Sequence, residues 1–356
     1  MTIETPDVVV VGLGPAGSRA AATAAAAGLT VIALERRRAA GAPVQCAEFV
    51  PALIERDMHD VHAVTAQKVA RMVTIVEGGA PEVTEDFRGL MIDRAAFDRK
   101  LAQEAALNGA ECRYGEAVWS IGADGVVQTS SGTRLRPRVL IGADGPRSQV
   151  GAAIREINRD LVDARQVTVP SILPHDATDI FLSADYYGGY GWLFPKGALA
   201  NVGLGVAVEA RGLLKPLLAA LCDRLTAQRR IGTKALALTG GAIPVGGRLR
   251  SIGRLGGTAV LLAGDAAGLT NPVTGAGIAS AVQSGALAGR AAADFVGRHA
   301  TSIDDYEEEI GDIFDAALGR ALRRRREVLA CYANGGRPDA RALSDGWIAS
   351  PHYWSA

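Results

Sequence analysis

The chain has little with which to staple itself together or cross a bilayer. Its 356 residues include four cysteines, Cys46, Cys112, Cys222 and Cys331, and none of them stand in a C-x-x-C pair. That scatter excludes a disulfide framework and gives no metal site. The formal net charge is zero, and no basic stripe stands out beyond Arg323–Arg326, so no nucleic-acid partner is expected. Arg19, Asp265 or Arg290 interrupts each of the longest apolar stretches, leaving none suited to span a membrane. Met1–Pro6 carries Glu4 and no apolar run, so no signal peptide is expected. A cytoplasmic location is the expectation, with peripheral contact at the inner face of the membrane left open. Apolar residues nevertheless reach 48%, enough to bury a sizeable core in one large domain or two interleaved ones.

What is present is a set of three glycine-bearing segments, each after a short apolar run. They are Val8–Gly17, Ile141–Gly145 and Leu262–Gly268. In the first, Val8–Val11 reads as a strand buried on both faces. Gly12 permits the tight turn, Gly14 lets a pyrophosphate approach the backbone, and Gly17 lets the next helix pack on the strand. Pro15 and Ala16 open that helix, whose first amides would sit under phosphates. Thr30–Leu34 reads as a second strand ending at Glu35, 18 residues after Gly17, where an acid accepts from ribose hydroxyls. A helix-start glycine turn without ligand shares the GxGxxG spacing; strand, helix, second strand and acid in register argue against it. Asp144, Gly145, Gly264 and Asp265 occupy the two later corners. Three such corners in this order describe one extended cofactor, and FAD fits.

The expected fold class is α/β plus β. A Rossmann-like FAD-binding domain (1–66, 94–158 and 256–299) is interrupted by a mostly antiparallel β substrate domain (67–93 and 159–255). A C-terminal helical segment (300–356) follows. The alternation in Lys68–Glu77 and Glu82–Ile92 predicts two antiparallel strands, and Asp93–Gly109 a helix with Phe97, Leu101, Ala105 and Leu107 toward a core. Later strands are predicted at 166–173, 179–184, 190–194, 201–208 and 259–263. Helices are predicted at 213–229, 275–295 and 305–333. A ligand would lie between the two domains.

Two further motifs narrow the reading. Gly41–Glu48 reads GAPVQCAE, and Tyr190–Lys196 reads YGWLFPK, followed by Asn201-Val202-Gly203. The chain resembles the geranylgeranyl reductase family, within the flavoproteins built like p-hydroxybenzoate hydroxylase. The first motif is similar to the cysteine loop of archaeal lipid-saturating reductases, the second to the YxWxFPK…NVG signature. The resemblance implies FAD contacts at Ala16, Glu35 with Arg36, Cys46, Ala47, Phe49, Arg94, Val118, Asp265, Gly277 and Ile278. The family often has glycine where Ala47 and Phe49 stand. Pro272 and Gly275 precede a helix whose amides would stabilise negative charge on a reduced flavin. The implied activity is reduction of isolated C=C bonds of a prenyl lipid by hydride transfer, with Cys46, Tyr190 and Trp192 as catalytic candidates. NAD(P)H or a small redox protein would be the transient electron donor, since no second dinucleotide fingerprint is present. A monooxygenase acting on a hydrophobic substrate is the alternative on the same fold. An electron-transfer flavoprotein lacks the cysteine cluster that iron–sulfur ligation would need, and a non-catalytic flavin sensor leaves the second domain without purpose.

Several residues carry two readings. Cys46 is either a small buried hydrophobe or the group that protonates the alkene. Tyr190, Trp192 and Phe194 share one strand face and form either core or the wall of a prenyl tunnel. His59 and His62 with Asp57 and Asp60 read as a solvated helix face rather than a metal site. Arg323–Arg326 reads as an exposed charged face or an anionic-lipid contact. Trp347, Ile348, Tyr353 and Trp354 either cap the tunnel or touch a membrane edge.

Overall fold

The computed structural model describes residues 3–58, 60–297 and 303–355. A six-stranded sheet runs in the order Ile252–Leu255, Thr258–Leu262, Val139–Gly142, Val8–Val11, Val31–Glu35 and Glu111–Tyr114. All neighbours are parallel except the edge strand Ile252–Leu255. Three of the four inner strands, Thr258–Leu262, Val139–Gly142 and Val8–Val11, are wholly buried, as continuous apolar runs in a doubly covered sheet should be. Because these three lie side by side and point the same way, the corners that follow them meet at one carboxyl edge. That edge is where open α/β sheets bind ligands.

The helices Pro15–Ala26 and Ile278–Val296 share the sheet's core, and small residues bring them very close. A Cβ at Gly285 would fall 2.2 Å from the Ala16 carbonyl oxygen, and one at Gly289 would fall 2.7 Å from that of Ala20. The second helix begins at Ile278 rather than 275, since Gly275 turns at φ +68°.

The second large sheet has seven strands, in the order Ala237–Pro244, Leu161–Pro170, Leu199–Ala207, Gly191–Lys196, Ala177–Leu182, Arg71–Val76 and Glu82–Thr84. Only Arg71–Val76 and Ala177–Leu182 pair in parallel. Strand alternation divides its side chains. Leu193, Val202, Leu204 and Val206 pack with Leu218, Leu221 and Leu225 of the helix Leu214–Ala227. Trp192, Phe194, Ile180 and Met72 pack on the opposite side, with Leu343 and Trp347 from the C-terminal segment.

Two expected strands break. Residues 68–77 divide into Thr65–Val69 and Arg71–Val76, and 82–92 into Glu82–Thr84 and Gly89–Ile92. Thr65–Val69, Gly89–Ile92 and Phe49–Pro51 form a separate antiparallel sheet. Val69 and Met72 are both buried although three positions apart. A single strand of period two cannot bury both on one face, so the chain changes sheets at Ala70. Leu107 is another correction. Phe97, Leu101 and Ala105 are buried at a four-residue spacing, whereas Leu107 ends the helix Arg94–Leu107 off that stripe and is exposed. The strands Ala237–Pro244 and Ile252–Leu255 were not expected, and the latter re-enters the parallel sheet ahead of residue 256.

The long helix Ile303–Ala330 is followed by the short helices Ala340–Asp345 and Pro351–Trp354. Its basic run is not uniformly exposed. Arg324 is buried, bonded to Glu327 and to the carbonyl oxygens of His352 and Ser355, so it fastens the C-terminal turn to the helix. Tyr353 is buried and Trp354 exposed. Among the described residues, no helix is long and apolar enough to cross a membrane.

The Gly285 contact yields a direct test. Gly285→Val should separate the two helices and lower stability by about 1–3 kcal/mol or more, as overpacking does, read as an earlier denaturation midpoint. An unchanged midpoint would show that the helix contact is not tight.

Candidate active site

A cavity of about 440 Å³ lies between the parallel sheet's carboxyl edge and the seven-stranded sheet. Many residues singled out from the sequence meet on its wall: Gly14, Pro15 and Ala16; Cys46, Ala47 and Phe49; Arg94, Gly145 and Asp265; Pro272, Gly275, Gly277 and Ile278. Tyr190, Trp192 and Phe194 line it too, as do Trp347 and Ile348. The sequence gives no direct sign that residues so far apart converge.

One part of the wall is built for negative charge. The helices Pro15–Ala26 and Ile278–Val296 both start at it, and neither N-cap, Gly14 or Gly277, makes a side-chain capping bond. Their first amides need partners from outside the helix, and both helix dipoles favour an anion there. The glycines divide the work. A Cβ at Gly17 would fall 1.8 Å from the Gly12 carbonyl oxygen, so Gly17 is a packing requirement. A Cβ at Gly14 would meet no protein atom within 4 Å, so there the backbone borders open space.

Other expected cofactor residues lie off this wall. Glu35 accepts from the Leu13 and Arg37 amides, both at 2.9 Å, so it braces the glycine loop; a carboxylate accepts about four such bonds. Arg36 is exposed. Val118 lies buried in a small sheet, paired with Thr129. Asp144 turns to Ser148, Gln149 and Val150 at the start of the helix Gln149–Ala153, which makes it a helix-start acceptor. Gly264 donates its amide to Ser284 Oγ at 3.0 Å, again a support. Asp60 pairs with Lys100, and His62 lies 3.6 Å from Glu55. His59 lies outside the described residues.

Charged groups on the wall are held close. Arg94 Nε donates to Asp98 Oδ1 at 2.7 Å. Burial works against the Arg94 charge, but Asp98 and the nearby Cys46 sulfur outweigh it, and its pKa lies above the ordinary value. Asp265 accepts from Thr270 Oγ1 at 2.6 Å, and burial raises its pKa despite the pull of Thr270 and Arg94.

The cysteine loop is sewn residue by residue to the seven-stranded sheet. Thr239 donates to the Val44 carbonyl. Gln45 Nε2 donates to Gly240 O at 3.0 Å, and Gln166 Nε2 donates to Cys46 O at 3.1 Å. Glu48 is the anchor. Its carboxylate accepts from Lys196 Nζ at 2.7 and 2.8 Å, from Asn201 Nδ2 at 2.9 Å and from the Arg94 amide at 3.1 Å. Each oxygen thus accepts two bonds, and Glu48 is 5% exposed. Its φ of +70° is unusual for a residue with a side chain, and these bonds hold it there. Sequence reasoning quoted Glu48, Lys196 and Asn201 only as letters of two motifs; the structure shows the motifs touching.

The aromatic wall is continuous. Tyr190 lies 5.7 Å from Trp192 and 4.8 Å from Trp347, and Phe49 lies 5.7 Å from both Phe87 and Phe194, by ring centroids. Trp192 Nε1 donates to Gln166 Oε1 at 2.9 Å. Tyr190 OH donates to Thr274 O at 2.6 Å, and burial raises its pKa. Both side chains line the cavity with these polar ends engaged. Cys46 Sγ accepts from the Glu48 amide at 3.2 Å.

Lys196→Met, which leaves the Glu48 charge without its counter-ion, should cost about 2–4 kcal/mol, between the values for a charged hydrogen bond and a fully buried pair. The denaturation midpoint should fall accordingly; a loss under about 0.5 kcal/mol, the range of ordinary surface changes, would remove the anchor from the account.

Residues 7–176 match the family described as "Lycopene cyclase protein", whose span covers the N-terminal part of the chain. The digeranylgeranylglycerophospholipid reductase of Methanosarcina acetivorans is 31% identical, over 95% of this chain and 88% of that protein. A protein of the same name from Methanopyrus kandleri, number 2, is 34% identical over 88% and 85% respectively. Among solved structures, a geranylgeranyl bacteriochlorophyll reductase-like protein from Thermoplasma acidophilum superposes with a TM-score of 0.80 at 27% identity, covering 92% of this chain and 88% of its own. A probable FAD-dependent monooxygenase from Pseudomonas aeruginosa superposes at 0.72, covering 96% and 99%, but at 17% identity it shares the fold alone. Relatives this similar across nearly the whole length, together with the joined cysteine loop and aromatic strand, establish that the chain belongs to the geranylgeranyl reductase family, with the digeranylgeranylglycerophospholipid reductases.

Proposed function

We propose that this protein is an FAD-dependent reductase that saturates isolated carbon–carbon double bonds of a prenyl lipid. The observation that carries the reading is the cavity itself: two uncapped helix N-termini on one side, an aromatic wall on the other, and Cys46 lining the space with them. The residues fit FAD. Gly14, Pro15 and Ala16 would hold its pyrophosphate, Arg94 and Asp265 its middle, and Gly277 and Ile278 the pyrimidine edge.

When bound and reduced, FAD supplies the hydride. The chain's own share is to seat the alkene, keep water out and deliver one proton. Phe49, Tyr190, Trp192 and Phe194 give a prenyl chain an apolar berth, and exclusion of water protects the reduced cofactor and strengthens local electrostatics. As one alkene carbon gains hydride, the other takes the proton of the Cys46 thiol: the S–H bond breaks as the C–H bond forms. Arg94, beside Cys46 and held by Asp98, stabilises the thiolate left behind until water returns a proton. Glu48 fixes the loop that sets the sulfur's position.

Anaerobic reduction with dithionite followed by addition of geranylgeranyl lipids should give products heavier by two hydrogens per double bond, read by mass spectrometry. Flavin reoxidation without a saturated product would overturn the reading, as would oxygen uptake coupled to a hydroxylated product. Cys46→Ala should keep bound FAD and lose about 10²–10⁴-fold in turnover, the range of general acid catalysis. Unchanged turnover would remove Cys46 from the mechanism.

A further inference from the structure

We propose that Gln166 is a positioning residue for the reaction: its one buried amide sets both the Trp192 ring, against which the alkene lies, and the backbone of Cys46, whose thiol gives the proton. The proposal rests on the prenyl-lipid reading above and names the group that aligns its two sides.

Gln166 lies on the strand Leu161–Pro170, lines the cavity and is 4% exposed. Its two ends work in opposite senses. Nε2 donates to Cys46 O at 3.1 Å, and Oε1 accepts from Trp192 Nε1 at 2.9 Å. An indole N–H only donates and a carbonyl only accepts, so a link between them has to accept at one atom and donate at another. A primary amide does this from a single carbon and stays neutral. Methionine, of similar length, donates nothing, and an ionised carboxylate only accepts.

The neighbouring strands are arranged around this link. Thr239, Gln166, Gly203 and Trp192 form one row across four adjacent strands. Thr239 donates to the Val44 carbonyl, so two facing positions hold alternate carbonyls of the cysteine loop. On the other side of Gln166, a Cβ at Gly203 would fall 2.3 Å from Trp192 Cζ2 and 2.5 Å from its Cε2. The missing side chain lets the indole lie across that strand, which brings its N–H to Gln166.

An amide with a purely structural task would be served by any two partners. These partners belong to the two surfaces that the reaction has to align. Gln166 holds the Cys46 carbonyl, and the Glu48 amide donates to the Cys46 sulfur at 3.2 Å. Backbone conformation limits the directions open to a side chain, so fixing the carbonyl limits where the thiol points. A displacement of about 1 Å at a reacting group can cost about a hundred-fold in rate.

The test turns on Q166E, which is isosteric. Protonated, the new carboxyl donates its O–H to Cys46 O and accepts from Trp192, as the amide does; ionised, it only accepts. Burial raises a carboxyl pKa, so the change should fall between about pH 5 and pH 8. The FAD-loaded enzyme, photoreduced anaerobically, is followed by saturation of a geranylgeranyl lipid, with turnover expressed relative to wild type at each pH. The Q166E ratio should rise about ten- to a hundred-fold as pH falls through the pKa of the new carboxyl, because the protonated form restores both bonds. The Trp192 indole N–H resonance, in protein labelled with nitrogen-15 tryptophan, reads that pKa separately and should shift with the same midpoint. Q166M has no group to titrate. Its kcat should be down about a hundred-fold at every pH, with FAD retained and KM within about three-fold. A flat Q166E ratio while the indole resonance titrates overturns the proposal, and so does a Q166M kcat within about three-fold of wild type. If Q166E does not fold, or its carboxyl does not titrate in this range, Q166M decides.

A second readout needs no turnover. Iodoacetamide is added to oxidised, FAD-loaded protein, and peptide mass spectrometry follows Cys46 with Cys112, Cys222 and Cys331 as internal controls. Q166M should speed modification of Cys46 by roughly five-fold, the equivalent of one lost hydrogen bond, and leave the other three unchanged. An unchanged Cys46 rate overturns the placement role even if turnover falls. A faster Cys46 rate, in a protein whose wild type saturates no prenyl lipid, keeps the placement and overturns the prenyl reading instead.

Discussion

Glu48 is the constraint on which the site's architecture turns. One carboxylate, nearly out of water, accepts bonds from the strand Gly191–Lys196, from the strand Leu199–Ala207 and from the first amide of the helix Arg94–Leu107. It thereby fixes the cysteine loop against the seven-stranded sheet and, through that helix, against the group that sits beside Cys46. The pair also follows the rule for buried charge. A carboxylate removed from solvent is tolerable when paired and fully hydrogen-bonded, and the positive end of a helix dipole adds to the balance. Such an arrangement contributes little net stability over an apolar substitute. What it provides is placement: Glu48 is held at its unusual φ directly after Cys46 and Ala47, and both of those residues line the cavity.

The rest of the cavity follows from the two sheets meeting at right functional ends. Parallel pairing of Val8–Val11, Val139–Gly142 and Thr258–Leu262 brings three glycine corners together along one edge, although the residues that form them are more than a hundred positions apart. Antiparallel pairing in the other sheet puts Tyr190, Trp192, Phe194 and Lys196 on alternate positions of one stretch. Three of these are apolar wall, and the fourth reaches Glu48. The same two-residue period therefore supplies both the greasy surface and the ion pair that holds the cysteine loop against it.

This explains what the sequence revealed and what it hid. The buried strands announced themselves as apolar runs, and the glycines and alanines that follow them fit only a close backbone approach, so the nucleotide half was readable. The aromatic stripe was readable as a stripe. Its meaning was not, because a core and a tunnel wall share one pattern. The anchor escaped because Lys196 and Glu48 are 148 residues apart and each alone resembles a surface charge. Strands 68–77 and 82–92 were misjudged for a related reason: local alternation does not show which sheet a residue joins, and Val69 and Met72 reveal the change only by being buried out of phase. Arg324 and Arg325 were hidden within a basic run whose four members look alike as letters, although Arg324 is buried and Arg325 half-buried while Arg323 and Arg326 are exposed.

The fold does not distinguish reduction from oxygenation, since the monooxygenase-like neighbour has the same architecture. In the proposed reaction the difference lies in how a proton is placed. The Tyr190 hydroxyl is committed to the Thr274 carbonyl, and burial disfavours its anion. The Cys46 sulfur accepts a hydrogen bond from the Glu48 amide, and Arg94 lies beside it. In the function proposed above, the Cys46 thiol is the group that gives its proton to the carbon. An isolated alkene needs that, because it lacks a neighbouring carbonyl to hold the charge that hydride addition creates. The wall need only hold the chain still and dry while the two hydrogens arrive from different directions.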